Sequence, residues 1–297
     1  VITDRPMQDE ADWQAVRSLI SLTSGEGPPG IGWDVRRWDG KRYHRTDHVE
    51  FLAVWSERVH LWWDGGDLAG AAHPEGPGEA HFQIRPGYRR LQAEMLEWAM
   101  AHLAHEGSLA VFCMDHDAHL RRLLDDRGFA DAGWGGVSRY LTFGPDAPPE
   151  PAVADGYRIR TTTPDDADAV AALLNAAFRR DFHEGGELTA FWSHAGSYVR
   201  EMDLVAETAD GALAAYVGVC WDEPNRFGIF EPVCTHPDHL RKGLARSLMQ
   251  GGLVLLHARG ARSVMVETGD QEAANALYDG IGFTEAYRGR GFVRTGL

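Results

Sequence analysis

Three landmarks recur in one order along this chain. Asp12 falls opposite Asp168, Pro86 opposite Pro237, and Gly128-Phe129 opposite Gly282-Phe283, at offsets of 156, 151 and 154 residues. Nearly constant offsets of that size mean duplication, so the 297 residues should form two copies of one fold, each long enough to bury its own core. The boundary falls at Gly144 to Gly156, GPDAPPEPAVADG, where Pro, Ala and acidic residues replace apolar periodicity and suit an extended, semi-rigid linker. The expected organisation is a first domain over 1–145, a linker over 146–156 and a second domain over 157–297.

Each copy opens with a short strand and an amphipathic helix, as in Tyr157 to Phe178, where Thr, Pro and Asp mark the helix start. In the second copy Asp203–Glu207 and Ala212–Trp221 alternate apolar residues about an Asp210-Gly211 turn, which predicts a hairpin. Phe227–Thr235 is the next predicted strand, Leu244–Ala258 a helix, Ser263–Glu267 a buried strand, Glu272–Asp279 a helix stopped by glycines, and Tyr287–Arg294 the closing strand. The first copy repeats the pattern through Val59–Trp63, Leu68–Ala72, Ala80–Ile84, Ala93–His105, Leu109–Met114, Ala118–Asp126 and Val137–Phe143. Mixed strands with helices on both faces make this an α/β sandwich.

A formal net charge of −15 argues against nucleic acid as a partner, since a phosphate backbone demands neutralising Lys and Arg. No apolar run approaches the length of a membrane helix, and no basic start followed by an apolar core is visible, so neither a membrane nor a secretory signal is expected. Three cysteines, Cys113, Cys220 and Cys234, show no paired spacing, which fits a reducing cytoplasm. Cys113, His116 and His119, and likewise His236 and His239, lack a further ligand named by the sequence, so no metal is expected.

The segment richest in chemistry is Glu231 to Met249. A β-branched strand passes through His236-Pro237-Asp238 and a basic stretch with one glycine into a helix, whose first amides have no partners within the helix and favour an anion. Lys242-Gly243-Leu244-Ala245 here, together with QEAANALYDGIGF at Gln271 to Phe283, resembles the two signature segments of the GCN5-related N-acetyltransferase (GNAT) family. The likeness runs over nearly all of Tyr157 to Thr295 and identifies the chain as similar to tandem GNAT proteins. The implied fold is α/β, two tandem GNAT-like domains, each a mixed, mostly antiparallel sheet with helices on both faces.

The resemblance implies a cosubstrate, acetyl-CoA, held by the loop Arg241, Lys242, Gly243, Leu244, Ala245 and Arg246, with Gln271 and Ala274 on the following helix. The strand backbone of Val233, Cys234 and Thr235 would bond the pantetheine arm and polarise the thioester carbonyl. Leu240 stands where the family has Arg or Gln, which implies weaker cofactor affinity, and Gln271 replaces an Asn. Tyr278 takes the place of the family tyrosine that protonates the departing thiolate; a phenol of pKa about 10 stays protonated at neutral pH and suits that role. Glu231, nine residues before Leu240, is the candidate base, with pairing to Arg226 or Arg288 as the structural alternative and a water chain as the mechanistic one. Cys234 has no histidine placed to activate it and reads as a small buried hydrophobe.

Phe182, Trp192, Trp221 and Asp222, with neighbouring carboxylates, suit a small, cationic, partly apolar amine. The first copy has Arg85-Pro86-Gly87-Tyr88 at the loop, no glycine opposite Gly243, and Leu124 opposite Tyr278, and reads as a degenerate domain that has lost catalysis. The expected function is acetyl transfer from acetyl-CoA to a small-molecule amine acceptor by direct attack. The alternatives are a non-catalytic acyl-CoA-binding sensor and a structural, partner-binding tandem protein. Members of the family often pair, so a homodimer is a further implication.

Overall fold

A computed structural model of the chain describes residues 1–25, 32–269 and 271–297. In chain order its elements are β1 (Ile2–Pro6), α1 (Glu10–Ser24), α2 (Val35–Tyr43), α3 (His48–Trp55), β2 (His60–Asp64), β3 (Asp67–His73), β4 (Glu79–Ile84), α4 (Gln92–His102), β5 (Ser108–Met114), α5 (Ala118–Asp126) and β6 (Ala130–Thr142). There follow β7 (Tyr157–Thr161), α6 (Ala167–Phe178), α7 (Gly185–His194), β8 (Leu204–Thr208), β9 (Leu213–Asp222), β10 (Phe227–Thr235), α8 (Leu244–Ala258), β11 (Ser263–Thr268), α9 (Glu272–Ile281) and β12 (Glu285–Thr295). The α/β architecture agrees with the sequence pattern, and α8 and β10 have the predicted bounds. Among the described residues no helix is long and apolar enough to cross a membrane.

Two compact units form. The first holds Val1–Lys41, Asp47–Ser138 and Tyr287–Leu297; the second holds Arg42–Thr46 and Arg139–Ala286. The C-terminal strand therefore belongs with the first half of the sequence, where Gly289–Thr295 of β12 pairs antiparallel with Met114–Ser108 of β5 and Phe292 enters the core. Conversely, the end of β6 belongs to the second unit, beside β11. The segment expected as a linker packs on that unit too: Ser247 donates its hydroxyl to the Ala152 carbonyl, and Ala154 lies against the apolar core.

Each unit opens in the same way, and the shared detail fixes the duplication more closely than the landmarks do. In the first, Arg5 makes a two-pronged bond to Asp12 at 2.5 and 2.7 Å, and Asp12 accepts the Gln8 amide. In the second, Arg160 grips Asp166 at 2.7 and 2.8 Å, and Asp166 accepts the Thr163 amide. The structural counterpart of Asp12 is thus Asp166, an offset of 154 that matches the Gly-Phe landmark, and not Asp168. Planar guanidinium against carboxylate explains the preserved geometry.

The core of the second unit gathers Val217, Val219 and Phe230 of the central strands under Leu248, Met249, Leu253 and Leu256 of α8, with Tyr278 and Phe283 closing one end. Apolar residues at helical spacing bury one face of α8 on the sheet, which leaves its N-terminus at the C-terminal end of β10. That junction is where the chemistry-bearing residues collect.

Candidate active site

Strand β10 is irregular in its middle, and the irregularity opens the site. Phe227–Phe230 pairs parallel with Ser263–Val266 of β11, and there the ladder ends. On the other side the pairing with β9 slips between Phe230 and Val233, so that Glu231 and Pro232 bulge opposite Gly218. Only glycine fits at 218, because a β-carbon there would lie 2.6 Å from the Glu231 carbonyl oxygen. Val233–Thr235 then resumes pairing with Val217–Ala215, leaving the edge that faces β11 without a ladder among the described residues. Backbone donors and acceptors of this kind are what an extended ligand arm pairs with. The bulge also breaks the two-residue alternation of faces along the strand at Glu231, which is half-buried.

Beyond β10 the chain makes a short 3-10 turn at Pro237–His239, extends through Leu240, and then twice enters the left-handed region, at Arg241 (φ +62°) and Gly243 (φ +77°). Gly243 is the N-cap of α8, and no side chain caps the helix among the described residues. A β-carbon at Gly243 would meet nothing within 4 Å, so the space before these amides is open. Uncapped first-turn amides behind an alternating loop form an anion-binding concavity that suits a pyrophosphate. Arg241, Lys242 and Gly243 are exposed, Leu244 is buried and Ala245 is half-buried, so the last two contribute backbone only.

The supports of this loop differ from those expected. Leu240 is 55% exposed and carries no polar group with which to hold the loop. Tyr157, at the start of β7, does so instead: its hydroxyl accepts from Lys242 Nζ at 2.7 Å and pairs with His239 Nδ1 at 2.8 Å, and the lysine lies over its ring. Arg246 donates to the Gly280 carbonyl at 2.7 Å, fastening α8 to the last turn of α9.

Tyr278 sits on α9 with 5% of its surface exposed, against Phe283. Among the described residues its hydroxyl has no hydrogen-bond partner. Burial pushes its pKa up to about 12, with the Arg139 guanidinium opposing, so the phenol keeps its proton throughout the neutral range. Gln271 is the exposed N-cap of α9 and makes no side-chain cap bond; Ala274 is half-buried against the core. Burial likewise pushes the Cys234 thiol up to about 12, which makes it a poor nucleophile.

The residues expected to line the acceptor site do not come together. Phe182 is exposed with Arg180 over its ring, and Trp192 is buried, stacked on Tyr198 under Arg200. Trp221 and Asp222 are buried at the end of β9 that pairs with the start of β10, where Trp221 donates to Glu223, Asn225 bonds Asp222 at 2.6 Å, and Arg259 follows α8. Fifteen helical residues, about 22 Å, separate that end of α8 from the loop. Trp221 and Asp222 therefore lie at the far end of the sheet from the loop, in a turn that is rich in the same residue types.

Two groups escaped sequence reasoning. Asp203, 1% exposed, accepts hydroxyls from Thr162 (2.7 Å), Tyr216 (2.9 Å) and Tyr198 (3.3 Å), and burial pushes its pKa up to about 6 despite them. Tyr216 is the register partner of Cys234, which places this network beside the open stretch of β10. Arg139, from the end of β6, bonds α9 on both sides of Tyr278. Neither has a local sequence signal, for their partners lie up to 144 residues away.

Residues 167–283 match the family model described as Acetyltransferase (GNAT) family. The chain is 28% identical over 258 residues to a mycothiol acetyltransferase of Thermobispora bispora, covering 76% of this chain and 80% of that one. It is 29% identical over 240 residues to one of Streptomyces coelicolor, covering 74% of each. Among solved structures, a tandem GNAT protein from the clavulanic acid biosynthesis pathway superimposes on 100% of this chain and 99% of its own (TM-score 0.66, 19% identity). A GCN5-related N-acetyltransferase from Sphaerobacter thermophilus does so over 99% and 95% (TM-score 0.65, 19% identity). At such identity the structural likeness speaks for the fold, and the matched domain and relatives speak for the chemistry. Residues 167–283 thus form an acetyltransferase domain of the GNAT family, in a chain that has the fold of tandem GNAT proteins.

Proposed function

We propose that the second unit transfers acetyl from acetyl-CoA to a small, cationic amine by direct attack. The single observation that carries this is the conjunction, in one unit, of an uncapped helix start behind a left-handed Gly243, a strand edge opened at Val233–Thr235, and a buried, protonated Tyr278. The loop amides would take the pyrophosphate, with Arg241 and Lys242 adding positive charge to an otherwise acidic chain. The amine nitrogen bonds to the thioester carbonyl carbon, and the carbonyl oxygen, now negative, is met by a backbone N–H of Val233–Thr235. On collapse the carbon–sulfur bond breaks and the thiolate takes the phenolic proton of Tyr278. The proton lost from nitrogen goes to the Glu231 carboxylate.

Similarity to mycothiol acetyltransferases supports a small-molecule acceptor. Trp192, stacked on Tyr198 beside the Asp203 network, is proposed to lie towards it. The test is thiol release from acetyl-CoA across a panel of amines. Tyr278→Phe should lose about 100-fold or more in kcat with the KM for acetyl-CoA changed less than about threefold. Unchanged turnover would remove the acid role from Tyr278.

A further inference from the structure

Helix α9 carries Tyr278 on its last turn, and that turn is held from outside the helix. Arg139, 8% exposed, donates Nε to Asn275 Oδ1 at 2.7 Å, Nη1 to Asp279 Oδ1 at 2.5 Å and to the Phe283 carbonyl at 3.0 Å, and Nη2 to Asp279 Oδ2 at 3.4 Å. These acceptors bracket the tyrosine. Asn275 precedes it by nearly one turn, Asp279 follows it directly, and Phe283 lies beyond the left-handed Gly282 (φ +117°) that ends the helix. A planar fork with donors on three nitrogens reaches all three; a lysine ammonium, a single point, does not.

We propose that Arg139 is the positioning residue for Tyr278, fixing the phenol where it meets the leaving sulfur. The proposal rests on the acid role given to Tyr278 above. It also assigns work to the first half of the sequence, because Arg139 enters the catalytic unit on β6, the strand that ends the first copy. The first unit offers the control. At the same offset of 154, Tyr278 is replaced by Leu124 and Arg139 corresponds to apolar Val293, so the clamp is missing where there is no phenol to aim. The Arg139 charge also opposes the upward push of burial on Tyr278.

The test is a double-mutant cycle on the full chain, with kcat and the KM for acetyl-CoA measured for Arg139→Lys, Tyr278→Phe and the pair, and thermal melting confirming the fold of each. Arg139→Lys should lower kcat about tenfold, as misplacement of a reacting group does, with KM within twofold. In the Tyr278→Phe background it should cost less than twofold, a non-additivity that general loosening of the fold would not produce. Equal losses in both backgrounds, an effect on KM alone, or unchanged kcat would overturn the proposal while leaving the acid role intact. Full activity of Tyr278→Phe alone would overturn both. If Arg139→Lys does not fold, Asp279→Asn, whose side chain is 60% exposed, should lower kcat several-fold with the same non-additivity, and an unchanged kcat would refute the clamp.

Discussion

The two units share one plan, and comparing their helix starts shows how little separates the proposed acyl-CoA site from a closed helix start. In the second, β10 leads through Arg241 and Gly243 in the left-handed region to an uncapped α8. In the first, β4 leads through Gly87 into a 3-10 turn at Arg89–Leu91 that runs directly into α4; Leu91 donates its amide to Tyr88, so one of the amides a phosphate would use is already spent. Arg89 and Gln92 then reach Asp117 at 2.5 and 3.4 Å, and Asp117, 3% exposed, also caps α5 by accepting the Leu120 amide. The start of α4 is bolted to the start of α5. The residue 154 positions after Asp117 is Gln271, exposed and making no cap bond. Yet the helix ends beyond are built alike: Phe129 donates to the Leu124 carbonyl and Phe283 to the Tyr278 carbonyl, each at 3.0 Å. The helix ends are shared by both units, and the helix starts are where they differ.

The largest break in this comparison should come at the proposed base. Glu231→Gln is expected to lower kcat about 100-fold at saturating amine, whereas Glu79→Gln, near the start of the corresponding strand β4, should leave kcat within about twofold. At Gly243, a Val substitution forces a branched side chain into φ +77°, and the KM for acetyl-CoA should rise about tenfold, in line with a left-handed penalty of roughly 1–2 kcal/mol. Asp117→Ala should destabilise the first unit by about 1–2 kcal/mol in denaturant unfolding, as loss of a cap and a half-exposed ion pair does, without creating a second acetyl-CoA site.

The units should also respond oppositely to acid. His73, fully buried, bonds the Pro74 carbonyl and Gln83, and burial lowers its pKa to about 3. Below pH 6.5 an unfolded chain takes up this proton and the folded one does not, so the first unit loses stability as pH falls. Asp203 holds its proton up to about pH 6 when folded but only to about 3.8 when unfolded, so acidification from 6 towards 4 favours the second unit. Each group contributes at most about 1.4 kcal/mol per pH unit. Hydrogen exchange at pH 4.5 against 6.5 should show protection falling in α4 and β4 before β8 and β9.

Much of this was legible in the sequence because periodicity and turn chemistry are local. Leu244–Ala258 announced α8 by its apolar spacing, and Asp210-Gly211 announced the hairpin of β8 and β9. The failures are all matters of distance or of ambiguity between like residues. Strand β6 begins at Ala130, seven residues before the predicted Val137, because Gly133, Gly135 and Gly136 hide a strand whose partner, β12, comes from the other end of the chain. Several acids at one helix start, Asp165, Asp166 and Asp168, compete as the counterpart of Asp12, and only the arginine bond singles out Asp166. The site motifs were visible as a resemblance, but the bulge at Glu231-Pro232, the support from Tyr157 and the fork of Arg139 depend on contacts that no local spacing encodes.

The measurement that tests the central claim most directly is the stoichiometry of acetyl-CoA binding to the full chain by calorimetry, for the wild type and for Gly243→Val. One molecule per chain, weakened about tenfold by the substitution, is the predicted result. Two molecules per chain, or one that is indifferent to Gly243, would contradict it.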